Sequence, residues 1–390
     1  MRTIIKVLYL ILAFLFQFGS ANIFNLDQYS TKLETDQGGI LPIFFALCTI
    51  ASLVDSKSRK NFYLLKLPAV FLFAFVLVLL FAEILFCGIN VNLFYFVKLT
   101  IAIIGFIAMS LTFITYPKLL LKSLIIYSTT SLGIVLAFWG GLLEQSYYFS
   151  NGRLWFLGIN PNTYSFMVGF AILIMIIICN KKQLSFHYKI IAFLSVLPLT
   201  IFLLLTGSRG SLMFLIFTLL IIYHKRLVLI FFAGVIAVFL YSNLITNLDY
   251  EITTFSRMTE IGQSNEREQL IEKTLYVYAQ SPIVGVGPTG YKTTMLTNFS
   301  EERDSHNVLI SNLALGGIMG LSLYLMFLFL LFRSVLKQSR YRIYALGIYV
   351  YMTLVSLKTG SVLTYSLMWY IYAISFTLNI IGRSKEQNIL

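Results

Sequence analysis

Residues 66–87 read KLPAVFLFAFVLVLLFAEILFC, and between Lys66 and Cys87 the one charged side chain is Glu83. At ~1.5 Å per residue a helix of this length rises about 33 Å, enough to cross the ~30 Å hydrocarbon core of a bilayer. A strand of this length with no polar face has no water-soluble solution, and in lipid an isolated segment must satisfy its backbone internally as a helix. Working outward from it, comparable apolar runs occupy 4–19, 39–54, 93–115, 121–142, 162–179, 188–206, 209–223, 226–243, 308–332, 341–358 and 361–382. Hydrophobic residues make up 58% of the chain and charged residues 12%, against about 25% charged in soluble domains. The abundant Phe (35) and Tyr (24) suit lipid interfaces. The expected fold is all-α: one polytopic integral membrane helix bundle over 1–390 with about twelve transmembrane helices.

The net charge of +13 would suggest nucleic acid in a soluble protein, and the placement of the spans removes that reading. With the N-terminus inside, Lys57, Arg59, Lys60, Lys118, Lys122, Lys181, Lys182, Lys225, Arg226, Arg333 and Lys337 all fall in connections on the inner side. The acidic residues collect on the other side, with Asp55 and Glu386 inside and Glu83 in a span. This is the positive-inside pattern, a statement of topology. The first run, preceded by Arg2 and Lys6 and followed by Gly19-Ser20-Ala21, reads either as a span or as a secretory signal; both place residue 22 outside. Cys48, Cys87 and Cys179 have neither metal-ligand nor disulfide-framework spacing, and no metal or other cofactor is expected.

Two outer loops are long, about 143–161 and about 244–307. The second contains a helix-like stretch, 266–278, on which Leu270, Ile271, Leu275 and Tyr278 share a face suited to the membrane interface. The turn Ser281-Pro282-Ile283-Val284-Gly285-Val286-Gly287-Pro288 ends it. On the tenth run Gly316 and Gly320 form a small-xxx-small pair that lets a neighbouring helix approach closely.

Three spans running from outside to inside open on polar residues: Asn160-Pro161-Asn162, Ser208-Arg209-Gly210 and Ser305-His306-Asn307. Asn160 suits an N-cap and Pro161 the first helical position. Helix N-termini offer unpaired N–H groups and positive dipole charge to an anion. Arg209 and His306 stand at two of these ends, Arg267 lies on the loop helix and Arg153 in the first outer loop. On a face of net negative charge, cations placed here suggest a phosphate-bearing ligand. Plainer readings stand beside this one: a snorkelling or capping Arg209, a solvated Arg267 among Glu266, Glu268 and Glu272, a capping His306, an Arg153 stacked on Trp155, and Asn160 and Asn162 as caps. His187 and His224 lie on the inner side and carry no expected role. Lys98 and Glu83, inside spans, are functional, paired with each other or snorkelling.

Taken in order, Gly158-Ile159-Asn160-Pro161-Asn162, Thr206-Gly207-Ser208-Arg209-Gly210-Ser211, Arg267 ahead of the Pro282–Gly287 turn, and Ser305-His306-Asn307-Val308-Leu309 with Gly316 and Gly320 resemble the O-antigen ligase and Wzy-type polymerase superfamily of bacterial envelopes. The resemblance covers about 150–325; residues 1–140 match as generic spans. It implies a GT-C-like, metal-independent glycosyltransferase in the bacterial cytoplasmic (inner) membrane, working on the outer, periplasmic side. The implied donor is a glycan on undecaprenyl pyrophosphate, and the implied partners are a glycan acceptor and membrane lipid, with a chain-length regulator and a flippase beside them and no nucleic acid. By position, Arg209, Arg267 and His306 are the implied catalytic residues, with Arg153, Asn160, Asn162, Ser208 and Asn307 contacting substrate. Arginines and helix ends can take the charge developing on a pyrophosphate leaving group, and a neutral His can act as base near pH 7.

Within that family, polymerisation of repeat units into O-antigen, capsule or exopolysaccharide is the preferred function, and ligation of the finished glycan to lipid A-core or another acceptor the alternative. A lipid-linked oligosaccharide flippase or other transporter is more distant, because paired repeats with interrupted spans are not evident. A non-catalytic scaffold leaves the outer arginines and histidine unexplained.

Overall fold

A computed structural model describes residues 2–18, 40–88, 91–143, 147–150, 153–156, 159–180, 186–224, 265–359 and 362–383. Its helices are α1 (Arg2–Leu15), α2 (Ile40–Val54), α3 (Ser56–Arg59), α4 (Lys66–Cys87), α5 (Leu93–Thr115), α6 (Pro117–Trp139), α7 (Pro161–Cys179), α8 (Phe186–Leu205), α9 (Arg209–Ile222), α10 (Asn265–Gln280), α11 (Gly287–Phe299), α12 (Val308–Leu336), α13 (Arg342–Ser356) and α14 (Ser366–Ile381). Among the described residues five helices, α4, α5, α6, α7 and α12, are long and apolar enough to cross a membrane. Shorter apolar helices include α2, α9, α13 and α14. The outward side chains of α4 are themselves apolar, among them Leu67, Val70, Leu77 and Phe81. Water would not tolerate that stripe and lipid does. The run expected at 226–243 and the loop up to 264 lie outside the described residues, so the structure shows an all-α membrane protein without counting twelve spans.

One departure from the all-α expectation is a short antiparallel pair, β1 (Tyr147–Ser150) and β2 (Arg153–Phe156), with Ser150 opposite Arg153 and Tyr147 opposite Phe156. The signal was present: Asn151-Gly152 separates two aromatic-rich tetrapeptides, the strongest short-range mark of a hairpin.

The chain packs as two compact units. The first combines Phe45–Pro117 with Gly262–Asn388 and Met1–Ile5; the second comprises Lys6–Phe44 and Lys118–Ile261 with the last two residues. In the first unit α4 packs on α11 and α12, and α14 packs on α5 and α13. Its centre is aromatic, with Phe327 5.6 Å from Phe106 and 5.7 Å from Trp369, ring to ring. In the second unit α7 packs on α8 and α9. Phe156 of β2 reaches that core, 5.1 Å from Tyr164 and 5.5 Å from Phe202. The hairpin is thereby fixed over the helix ends it adjoins.

α12 is broken inside its length. Gly317 has φ 61° and ψ −163°, a conformation that side chains exclude. The backbone groups released at the break are taken by the Ser281–Gly287 turn: Val286 N–H donates to Ala314 O at 3.0 Å, Ile318 N–H to Pro282 O at 2.9 Å and Met319 N–H to Ile283 O at 3.1 Å. Gly316 and Gly320 face α4, as the small-xxx-small pair predicts; a Cβ on Gly316 would come within 2.9 Å of Leu79. α10 forms where the sequence predicts a helix, but its face is different. Leu270, Thr274 and Val277 are the buried stripe, while Leu275 is 40% exposed. The polar Thr274 takes an inner place because its hydroxyl is satisfied, by Leu270 O at 2.7 Å and Tyr291 Oη at 3.0 Å.

Candidate functional site

The site residues named by the sequence fall into two clusters, one in each unit. In the second unit, Asn160 caps α7: its Oδ1 accepts from Asn162 N–H at 2.9 Å, and Pro161 occupies the first turn. Gly207, at φ 64°, turns the chain from the end of α8 into α9. Ser208 holds the N-cap place of α9 without a side-chain capping bond; its Oγ lies 3.2 Å from Ser211 Oγ. Ser211 in turn pairs with Ser165 at 2.6 Å, which sets the first turns of α7 and α9 side by side. Two of the three predicted helix starts thus adjoin one another. Arg153 stitches them: Nε donates to Thr206 O at 3.1 Å, and a terminal nitrogen donates to Asn162 Oδ1 at 2.7 Å. The planar guanidinium allows both bonds from one side chain. Arg209, half-buried, is the first residue of α9. The cluster gathers two arginines and two N-terminal dipoles within a few residues of one another.

In the first unit, Asn307 caps α12, its Oδ1 accepting from Leu309 N–H at 3.0 Å and Ile310 N–H at 3.3 Å. His306 precedes it in the left-handed region, φ 49°, a conformation costing roughly 1–2 kcal/mol in a non-glycine residue. Asp304 holds it there. Its Oδ1 accepts from the His306 backbone N–H at 2.9 Å and lies 3.5 Å from the ring Nδ1. Nothing in the local sequence marks Asp304, because an aspartate two residues ahead of a histidine acquires this role only through the turn. His306 is 35% exposed, so its ring is open to solvent on one side. Ser305 is buried behind it, with Oγ 3.0 Å from Ser311 Oγ. Arg267 lies half-buried in the first turn of α10.

The segment joining α11 to α12 is tied to α10. Glu301 accepts from Lys273 at 2.6 Å and from Arg303 Nε at 2.6 Å; the Lys273 hydrogen bond is the largest cause holding its carboxyl below the ordinary value of 4.5. Tyr291 Oη, between Thr274 and the Arg303 carbonyl, has its hydroxyl pushed up to about 12 by burial. Of the two ionisable residues expected inside spans, Glu83 is fully buried and accepts from Asn92 N–H at 3.0 Å, Thr289 N–H at 2.9 Å and the Thr289 hydroxyl. It clamps the N-terminus of α11 to α4. Lys98 lies 4.0 Å above the ring of Phe94. His224 contacts the Ile221 carbonyl at 3.2 Å, at the far end of α9 from Arg209; the side chain of His187 lies outside the described residues.

No curated protein matches the chain significantly. A family model described as O-Antigen ligase matches residues 190–325, a segment that contains Arg209, the Pro282–Gly287 turn, His306 and the break of α12 at Gly317. Over residues 190–325 this membrane protein is therefore similar to the O-antigen ligase family, within the Wzy superfamily.

Proposed function

We propose that the protein polymerises undecaprenyl-pyrophosphate-linked oligosaccharide repeat units on the outer face of the cytoplasmic membrane. The observation that carries this reading is that each unit holds a differently equipped cluster: arginines with adjoining helix N-termini in one, an aspartate-held histidine with a capped helix in the other. Transfer of a glycan from a lipid pyrophosphate asks for those two abilities. An acceptor hydroxyl oxygen bonds to the anomeric carbon while the bond from that carbon to the pyrophosphate oxygen breaks. The leaving pyrophosphate departs with the electron pair, and Arg209 and Arg267, with the dipoles of the helix starts, lower the cost of that charge. The hydroxyl proton passes to His306, or His306 positions the hydroxyl for attack. Arg153, Asn160, Asn162, Ser208 and Asn307 shape the ends at which substrate is held. A ligase would use the same groups on a different acceptor, and the acceptor distinguishes the two.

The test is the lipid-linked glycan profile of cells lacking the protein, complemented by wild type or by Arg209→Ala. Single repeat units on lipid after deletion, with long chains restored by wild type and not by a normally inserted Arg209→Ala, support polymerisation. Long chains accumulating on the carrier lipid mark a ligase, and an unchanged profile removes the protein from glycan assembly.

A further inference from the structure

Between α10 and α11 lies an open groove of about 310 Å³ lined by Gln269, Glu272, Lys273, Tyr276 and Phe299, at the lower end of the ~300–1,000 Å³ range for small-molecule sites. Its aromatic walls meet edge to face: the Tyr276 and Phe299 rings are 5.4 Å apart at 81°. Tyr276 is 51% exposed, which leaves a ring face open to the groove. One cation is present, Lys273, and its charge is already engaged, 2.6 Å from Glu301 and 5.6 Å above the Phe299 ring. Glu272 adds a second carboxylate and Gln269 an amide, both on exposed side chains. With Lys273 and Arg303 both engaged by Glu301, the groove offers a phosphate or an acidic headgroup no uncompensated cation. It suits a neutral polyol with one apolar face: the C–H face of a sugar ring packs on an aromatic ring, and the hydroxyls around it pair with a carboxylate and an amide.

We propose that this groove is a saccharide subsite, holding one or two neutral sugar residues of the glycan away from the reacting end. The inference rests on the glycan-transfer reading. Tyr276 lies roughly 14 Å along α10 from Arg267, at ~1.5 Å per residue, so a chain whose pyrophosphate end lies at Arg267 can extend a few sugars along the helix to the groove. Nothing in the family match singles out these five residues. The groove supplies grip on the glycan rather than chemistry, and its loss weakens substrate binding and leaves turnover intact.

Two measurements on the purified full-length protein test this. The first is transfer kinetics with lipid-linked repeat units extracted from cells lacking the protein. Tyr276→Ala and Glu272→Gln are expected to raise KM about tenfold with kcat unchanged, and to leave inhibition by undecaprenyl pyrophosphate alone unchanged. An unaltered KM in both variants, or tighter binding in Glu272→Lys, which would mark an anion site, overturns the subsite. The second is saturation-transfer NMR with the delipidated oligosaccharide of one repeat unit. Contact with wild type that is lost in Tyr276→Ala supports the subsite independently of turnover, and absent or equal contact overturns it. Binding without transfer by wild type would fault the glycan-transfer reading and leave the groove standing. Because Tyr276 and Glu272 are exposed, thermal melting of these variants should match wild type.

Discussion

The carboxylate of Glu83, inside α4, accepts a hydrogen bond from the backbone N–H of Thr289 at 2.9 Å, 206 residues further along the chain. The same carboxylate takes the Thr289 hydroxyl and the Asn92 N–H. One buried carboxyl group therefore fixes the helix that follows the Pro282–Gly287 turn. Glu83→Ala leaves those donors without an acceptor, at about 1–3 kcal/mol for each that stays buried, whereas Glu83→Gln keeps one accepting oxygen. Thermal unfolding of the detergent-purified protein should show a large loss for alanine and a smaller one for glutamine. Equal melting of all three would show that the α11 terminus is held by something else.

The dock between the turn and the broken helix has no room for a side chain. A Cβ at Gly285, where φ is 79°, would strike the Leu315 carbonyl, and one at Gly317 would strike that of Ile283. Gly285→Ala and Gly317→Ala should each destabilise the protein, whereas Gly133→Ala, in the interior of α6 where a Cβ meets nothing, should not. Limited proteolysis of 281–287 in membranes reads this out, and protection equal to wild type would contradict the tight dock.

Glu301 gives the outer segment a pH dependence of definite sign. Its carboxyl is depressed below the ordinary value of 4.5, chiefly by the Lys273 hydrogen bond. A group with a depressed folded-state pKa contributes stability that is complete above its unfolded value and is lost as pH falls through the folded value. The tie of α10 to the 300–307 segment should therefore hold at neutral pH and weaken below about pH 4.5. In Lys273→Met the dependence should flatten, because the main cause of the shift is gone. Hydrogen exchange of 300–307 as a function of pH measures it, and a slope unchanged by Lys273→Met would count against the assignment.

For His306 the alanine variant should lose about 100-fold or more in transfer rate if the ring acts on the acceptor proton, with melting close to wild type because the side chain is half-exposed. Asp304→Asn keeps an oxygen to accept the His306 N–H and should retain the turn, whereas Asp304→Ala releases it. In activity the two should rank aspartate, asparagine, alanine. A fully active His306→Ala would remove this residue from the chemistry.

Much of this was legible in the sequence, and the gaps have physical causes. Apolar runs specify spans because lipid demands about 20 contiguous apolar residues, so α4, α5, α6, α7 and α12 needed no tertiary information. Helix starts were legible for a local reason: an Asn cap bonds within its own first turn, as Asn160 and Asn307 both do. The hairpin around Asn151-Gly152 is marked locally, by a turn dipeptide between two aromatic-rich tetrapeptides, but lies inside a stretch whose apolar pattern is that of a loop between spans. The buried face of α10 was illegible, since Thr274 is inner only by virtue of Tyr291, seventeen residues on. Glu83 could be recognised as costly to bury, but its partner could not be named from the chain. The acid and its donor Thr289 meet only after α11 has docked.

The break at Gly317 bears on how the chain is made. Backbone groups of α12 around the break find their partners in residues 281–287, and that stretch finds its own in α12. Neither can be finished alone. During synthesis the 281–287 stretch emerges first and has no dock until α12 follows it, while α12 enters the bilayer carrying polar backbone that an uninterrupted helix would have satisfied internally. Completion of this helix thus waits on a segment made before it. Biogenesis acquires a checkpoint there, at which placement of the 281–287 stretch and insertion of the helix must agree.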